Sequence, residues 1–277
     1  MRRLTKKGES KIDLNRSTRE APEGERIMPS DWNDVRQLKA HINRYMFSAR
    51  YATNNVCLDI ACGSGFGSHY LKKGGARMVV GGDISPEGIE YANRNYAEDN
   101  VRFQILDAQR LPFENDSFDV IVSHGTIEHL PRPTQFLGEC YRVLRPGGIL
   151  ICSAPNKAIT SPYGKPPDKY HFEEFYVAEF NSFIETYFQN TTIYGEMYAK
   201  KGLKLHIYLF GLHKVLPLIH SLPKGQSLAE FLIRFIRGRK YAKLEEIEGE
   251  ELPSIDDIAP YPQEGKEPAH IIIVARK

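Results

Sequence analysis

The 277-residue chain has little of what would place it in a class at first sight. It has only four cysteines, Cys57, Cys62, Cys140 and Cys152, and they form no C-x-x-C pair. That argues against a disulfide framework or a zinc ribbon and leaves the thiols as small hydrophobes in a reducing compartment. No apolar run is long enough, and free enough of charge and proline, to span a bilayer. The formal net charge is only +2, so no global field points to nucleic acid. Residues 1–19 lack the apolar segment of a signal peptide, and a cytoplasmic location is expected. The remaining composition, 41% hydrophobic and 26% charged, leaves room for one large domain or one domain with an added lobe.

The most informative stretch is Val56-Cys57-Leu58-Asp59-Ile60-Ala61-Cys62-Gly63-Ser64-Gly65-Phe66-Gly67-Ser68. An apolar run ends in a carboxylate, glycines follow at every second position, and Phe66 to Lys73 reads as a short helix stopped by Gly74-Gly75. This is the strand, turn and helix that open a nucleotide-binding α/β sheet. The spacing is G-x-G-x-G, not G-x-G-x-x-G, and Asp59 would repel a pyrophosphate held at the helix start. An acid there suits a ligand with an ammonium group and no phosphate, such as S-adenosylmethionine. The plainer reading is that Asp59 only ties down the turn.

With these residues in place, the segment resembles motif I of class I S-adenosylmethionine-dependent methyltransferases. The resemblance runs over roughly residues 41–200 and the last strand. Ala61 replaces the first glycine of the motif, which is harmless if that position lies outside the left-handed region. Ala76 to Asp83 is a second strand ending in an acid, followed by the helix start Ser85-Pro86-Glu87. The resemblance implies that Asp83 accepts from both ribose hydroxyls, with Ile84 beside it, while Ala61, Gly63 and Gly65 line the cofactor. It also sets Asp107 and Ala108, after a third strand over Val101–Asp107, along the adenine edge. The plain alternative for Asp107 is a loop cap. Upstream, His41-Ile42-Asn43-Arg44-Tyr45 matches a bacterial subgroup, as does Gly24-Glu25-Arg26. Arg44 or Tyr45 would lie near the cofactor carboxylate, or else the segment is a helix packed over the sheet with Arg44 on its wet side.

Phe118 to Ser123 is the fourth strand, with Ser123 expected at the cofactor. The sequence after it, His124-Gly125-Thr126-Ile127-Glu128-His129, has no (N/D)-P-P-(Y/F) motif, which argues against base methylation. Glu128-His129 resembles the E-H pair of small-molecule methyltransferases. His129 could act as a general base on a hydroxyl, or the pair could merely hold the loop. Metal binding is not expected, because no further acid is suitably spaced. Pro133 to Leu144 reads as an amphipathic helix, Ile149 to Ser153 as the fifth strand, and Val177 to Phe188 as a helix. The long loop between strand five and that helix supplies the acceptor-side candidates Asn156, Tyr163, His171 and Glu174. For His171, fastening the loop to the core is an equal reading.

The resemblance implies a doubly wound, Rossmann-like sheet of seven strands, the sixth over Thr191–Tyr198 and the last, His270–Ala275, inserted antiparallel. Residues 1–25 are expected to form a flexible basic tail. Residues 26–202 and 266–277 form the cofactor-binding domain, and 203–265 an inserted helical cap. Within the insertion, Leu228, Phe231, Leu232, Phe235 and Ile236 make an apolar stripe, with Arg234, Arg237, Arg239 and Lys240 nearby. The segment 203–240 would dock as a cap, form a dimer surface, or touch a membrane from the side. The expected activity is methyl transfer to a small-molecule acceptor, foremost a hydroxyl of a saccharide, lipid-linked compound or other metabolite. The pattern leaves open a non-catalytic cofactor-binding subunit and, disfavoured by Asp59, a nicotinamide-dependent oxidoreductase. Oligomeric state is not legible.

Overall fold

Val56–Ile60 becomes strand β1, and its residues are buried on both faces except at the first position, as a central parallel strand requires. It pairs in parallel with β2 (Met78–Asp83) on one side and β4 (Phe118–His124) on the other. The structure, a computed structural model, describes residues 35–161, 171–197, 255–263 and 266–277. The basic tail, Tyr163 and the stripe and arginines of 203–240 lie outside the described residues.

The remaining strands are β3 (Val101–Ile105), β5 (Leu144–Pro155), β6 (Asn190–Glu196), β7 (Ile258–Pro260) and β8 (His270–Arg276). Their order across the sheet is β3-β2-β1-β4-β5-β8-β6-β7. β8 lies antiparallel to both β5 and β6, as expected of the last strand. An eighth strand is added to the expected seven: β7, antiparallel to β6 at the sheet edge. It falls within the segment assigned to the insertion, so the final part of 203–265 belongs to the sheet. Three residues with one apolar anchor, Ile258, carry too little pattern to be read as a strand.

Helices α1 (Val35–Ala49), α2 (Phe66–Lys73) and α3 (Pro86–Tyr96) cover one face, burying Tyr45, Phe47, Leu71, Ile89 and Ala92 against Cys57, Val79, Val120 and Val122. Helices α4 (Pro133–Val143) and α6 (Val177–Glu185) cover the other, with Phe136, Leu137, Cys140, Phe180 and Ile184 against Leu58, Ile60 and Ile121. A short helix, α5 (Lys157–Thr160), follows β5. α3 starts as its sequence dictates: the Ser85 hydroxyl accepts from Gly88 N at 3.1 Å, and Pro86 occupies the first turn. All four cysteines are buried and unpaired. Among the described residues no helix is long and apolar enough to cross a membrane. The strand order reverses between β1 and β4, and a crevice opens at their carboxyl ends.

Candidate functional site

Three strand tips meet at that reversal. After β1 the chain turns through Ala61, Gly63 and Gly65, with φ of 58°, 54° and 85°. Ala61 is therefore in the left-handed region, so the condition under which its replacement of glycine would be harmless is not met. The conformation costs an L-residue about 1–2 kcal/mol and is imposed by the flanking backbone bond from Cys62 N to Gly82 O at 3.0 Å. The glycines serve different ends. A Cβ on Gly63 would meet nothing within 4 Å, whereas one on Gly65 would lie 2.6 Å from Ala92 Cβ and one on Gly67 2.0 Å from the Tyr45 ring. Only Gly63 opens onto space a ligand can fill; the other two let α2 close against α3 and α1.

Asp83, at the tip of β2, joins two of these segments. One oxygen accepts from Gly63 N at 2.9 Å and the other from Ser85 N at 2.9 Å. The carboxylate therefore ties the glycine turn after β1 to the start of α3. Next to it Ile84 is 68% exposed, an apolar surface at the mouth. Asp107 accepts from Gln109 N at 2.8 Å, so the loop-cap reading applies to one oxygen, while Ala108 packs beneath. Ser123, at the tip of β4, is fully buried and its hydroxyl has no partner among the described residues.

Asp59 departs from the ligand-facing role. It is fully buried; Tyr45 Oη donates to one oxygen at 3.0 Å and Ser68 Oγ to the other at 2.7 Å. The carboxyl thus pins α1 and α2 to the strand tip. Burial pushes it up to about 7, against the pull of the two hydroxyl donors. Arg44 is not on a wet helix face either: it is 1% exposed and its Nε lies 3.3 Å from Glu196 Oε2 at the end of β6. Its Nη1 is buried without a partner among the described residues. Beside it His124, which the sequence reading passed over, is held between Ser48 Oγ and Ser153 Oγ at 2.9 Å each. Burial, then the Arg44 charge, pushes His124 down to about 3, so it is neutral.

On the acceptor side the turn after β4 carries Glu128, buried, and His129, half-buried. Burial pushes the Glu128 carboxyl up to about 7, and its Oε2 has no partner among the described residues. The loop after β5 brings His171 against them, its ring edge-on to His129 with centroids 4.7 Å apart. His171 Nδ1 lies 2.6 Å from Glu174 Oε1. Glu174 is buried and also accepts from Thr160 Oγ at 2.8 Å and from Ser161 Oγ. Burial alone would raise its carboxyl, but the donors, His171 first, hold it below the usual range. Glu174 is thus a support for His171, not an acceptor contact. Asn156 is likewise internal: its amide donates to Pro268 O at 2.8 Å and its carbonyl accepts from Ala158 N at 3.1 Å. These partners are brought in by β8 and could not be seen from the loop's own residues.

Asp83 and Ile84 thus stand at the tip of β2 beside the open backbone at Gly63, while Arg44 Nη1 and Ser123 Oγ are buried polar atoms without a partner among the described residues.

Residues 58–152 match the methyltransferase domain family. The chain is 32% identical over 164 residues to a protein of Mycolicibacterium smegmatis named as a probable S-adenosylmethionine-dependent methyltransferase, covering 59% of this chain and 63% of that one. It is 36% identical over 115 residues to the phthiotriol/phenolphthiotriol dimycocerosates methyltransferase of Mycobacterium leprae, covering 40% and 43%. The matches therefore span about half of the length of these relatives. A solved S-adenosylmethionine-dependent methyltransferase of Thermotoga maritima shares the fold, with a TM-score of 0.57 and 16% identity over 87% of this chain and 91% of that one. Residues 58–152 thus match a methyltransferase domain, and the described core shares the fold of solved S-adenosylmethionine-dependent methyltransferases.

Proposed function

We propose that this chain binds S-adenosylmethionine across the carboxyl ends of β1, β2 and β4 and transfers its methyl group to a hydroxyl of a small molecule, a saccharide or lipid-linked acceptor. The observation that carries the proposal is the position of Asp83, whose two oxygens fasten the open backbone at Gly63 and the start of α3 at Ser85. Such a carboxylate suits a pair of ribose hydroxyls, because its geometry is set before any ligand arrives. Ile84 and Ala108 would take the two faces of adenine, Asp107 its amine, and Arg44 the cofactor carboxylate.

Asp59 acts at one remove by holding Tyr45 and Ser68 in place. When bound, the cofactor supplies a methyl carbon made electrophilic by its sulfonium. The chain's part is to align the acceptor and exclude water, which contributes several kcal/mol on the scale of well-oriented reactions. His129, half-buried at the mouth, is the group to draw the acceptor's proton. The name of the Mycobacterium leprae relative supports a hydroxyl-bearing, lipid-linked acceptor. The inserted segment would cap the acceptor side; of its described residues, 255–257 pack against α1.

Calorimetric titration of the purified chain with S-adenosylmethionine and with its demethylated product tests the proposal. Both should bind, and Asp83→Ala should weaken them by at least about tenfold, the loss of one to two charge-assisted hydrogen bonds. Absence of binding, or an Asp83→Ala variant that binds as tightly as the parent, would overturn it.

A further inference from the structure

Glu128, His129 and His171 place one carboxylate oxygen and two imidazole nitrogens within 4.8 Å of one another. The sequence reading set metal binding aside for want of a third ligand, but the fold supplies one from 42 residues downstream, the difference between 171 and 129. The two segments are held in register by backbone bonds to Glu128 O, from Phe172 N at 2.7 Å and from Glu173 N at 3.3 Å. Methyl transfer does not by itself call for this trio.

Two observations point to an ion. Glu128 is 2% exposed, and its Oε2 has no partner among the described residues. An unmatched carboxylate oxygen at that depth is costly unless a cation or donor meets it. Second, the Nδ1 of His171 faces Glu174 Oε1 at 2.6 Å, and Glu174 is itself braced by Thr160 and Ser161. A carboxylate that accepts a hydrogen bond from one ring nitrogen, and so fixes the tautomer and orientation of the ring, is the usual outer support of a metal-bound imidazole.

We propose that Glu128, His129 and His171 form a binding site for a divalent transition-metal ion, with Glu174 as the positioning residue. Two imidazoles and one carboxylate suit zinc, iron(II) or cobalt(II); calcium and magnesium prefer sets of oxygen alone. Bonds of about 2.0–2.2 Å require the ligand atoms to draw together by roughly an ångström, which the half-buried His129 can do by side-chain rotation. Three protein ligands leave a position open. A hydroxyl oxygen taken up there would release its proton to solvent more readily, with His129 as ligand instead of base. That role rests on the proposed methyl transfer; the ion binding does not.

The test is titration of the metal-stripped full chain with zinc chloride by calorimetry and with cobalt(II) by visible absorption. One ion per chain is expected, with the cobalt band of a nitrogen- and oxygen-ligated site. Glu174→Gln should weaken zinc by about 10–100-fold, and the double variant His129→Ala/His171→Ala should lose the band, with thermal melts confirming that each variant is folded. No saturable binding, or a folded double variant that binds as tightly as the parent, overturns the proposal. Calorimetry with S-adenosylmethionine on the same samples separates the readings. Zinc bound through these residues without cofactor binding upholds the site and sinks the methyl-transfer reading. Cofactor binding without zinc binding sinks the site alone.

Discussion

Replacing Asp59 with Asn separates the two things this side chain does, which are to hold Tyr45 and Ser68 and to carry a proton. In the folded chain burial pushes its carboxyl up to about 7, the Ser68 and Tyr45 hydroxyls pull the other way, and the Asp83 charge adds to the rise. In the unfolded chain an aspartate titrates near about 3.9. Between these values the folded protein holds one proton more than the unfolded chain, so folding takes up a proton. Stability must then fall as pH rises from about 4 to about 7, and stay level above. A displacement of about three units at about 1.36 kcal/mol each comes to about 4 kcal/mol, and local relaxation brings the expected effect to about 2–4 kcal/mol.

Asn has the volume of the protonated acid and can meet both hydroxyls, yet never ionises. Urea unfolding of parent and Asp59→Asn across this range should give similar stabilities near pH 4 and a variant ahead by about 2–4 kcal/mol near pH 8. Other buried carboxyls titrate in both proteins and cancel in the difference. Cofactor affinity should change by no more than a few fold, because both oxygens are turned to protein hydroxyls. Parallel stability curves, or a variant that loses ground as pH rises, would refute the reasoning.

Ala61→Gly should stabilise the chain by about 0.5–1 kcal/mol in the same urea assay, since relief of the left-handed strain exceeds the added freedom of the unfolded chain. Gly67→Ala and Gly63→Ala should diverge. The first drives a methyl into the Tyr45 ring and should cost about 1–3 kcal/mol of stability; the second meets no atom but takes on the left-handed strain of about 1–2 kcal/mol, and should in addition lower cofactor affinity by calorimetry. Arg44→Met alone leaves Glu196 buried without its cation and should cost about 3–5 kcal/mol, while Arg44→Met/Glu196→Leu should recover most of that in thermal melts without recovering cofactor affinity.

The sequence disclosed what is local. β1, its glycine turn and α2 follow within one short stretch, and Ser85-Pro86 marks the start of α3, so the strand tips carrying Asp59 and Asp83 were legible. The direction of each tip residue was not. Asp59 and Asp83 look alike in the chain, but Tyr45, fourteen residues upstream, turns the first inward, while the backbone of the glycine turn engages the second. Asn156 was misread because its partner, Pro268, lies 112 residues away on the approach to β8. Arg44 could not be assigned to a dry or wet face without Glu196, which nothing near β6 marks as a partner. The trio Glu128, His129 and His171 escaped for the same reason: two ligands share one turn, and the third arrives by a loop whose path depends on backbone bonds to Glu128 O.

The buried polar atoms without a hydrogen bond among the described residues include Asn43 Nδ2 and Arg44 Nη1 on α1, Ser123 Oγ, Thr126 Oγ1 and Glu128 Oε2 at the end of β4 and the turn after it, Asn181 Oδ1 on α6, and both carboxylate oxygens of Glu196 on β6. Each such atom costs about 1–3 kcal/mol in the folded state, and apolar substitutes of similar size would remove that cost. His124, at the end of β4 and held between Ser48 and Ser153, is neutral. A neutral His124 adds no second positive charge beside Arg44, whose Nε already meets Glu196 at 3.3 Å, which leaves Nη1 as the atom to meet an anion. Under the proposed function that anion is the cofactor's carboxylate, and stability given up in the free protein is recovered when it binds.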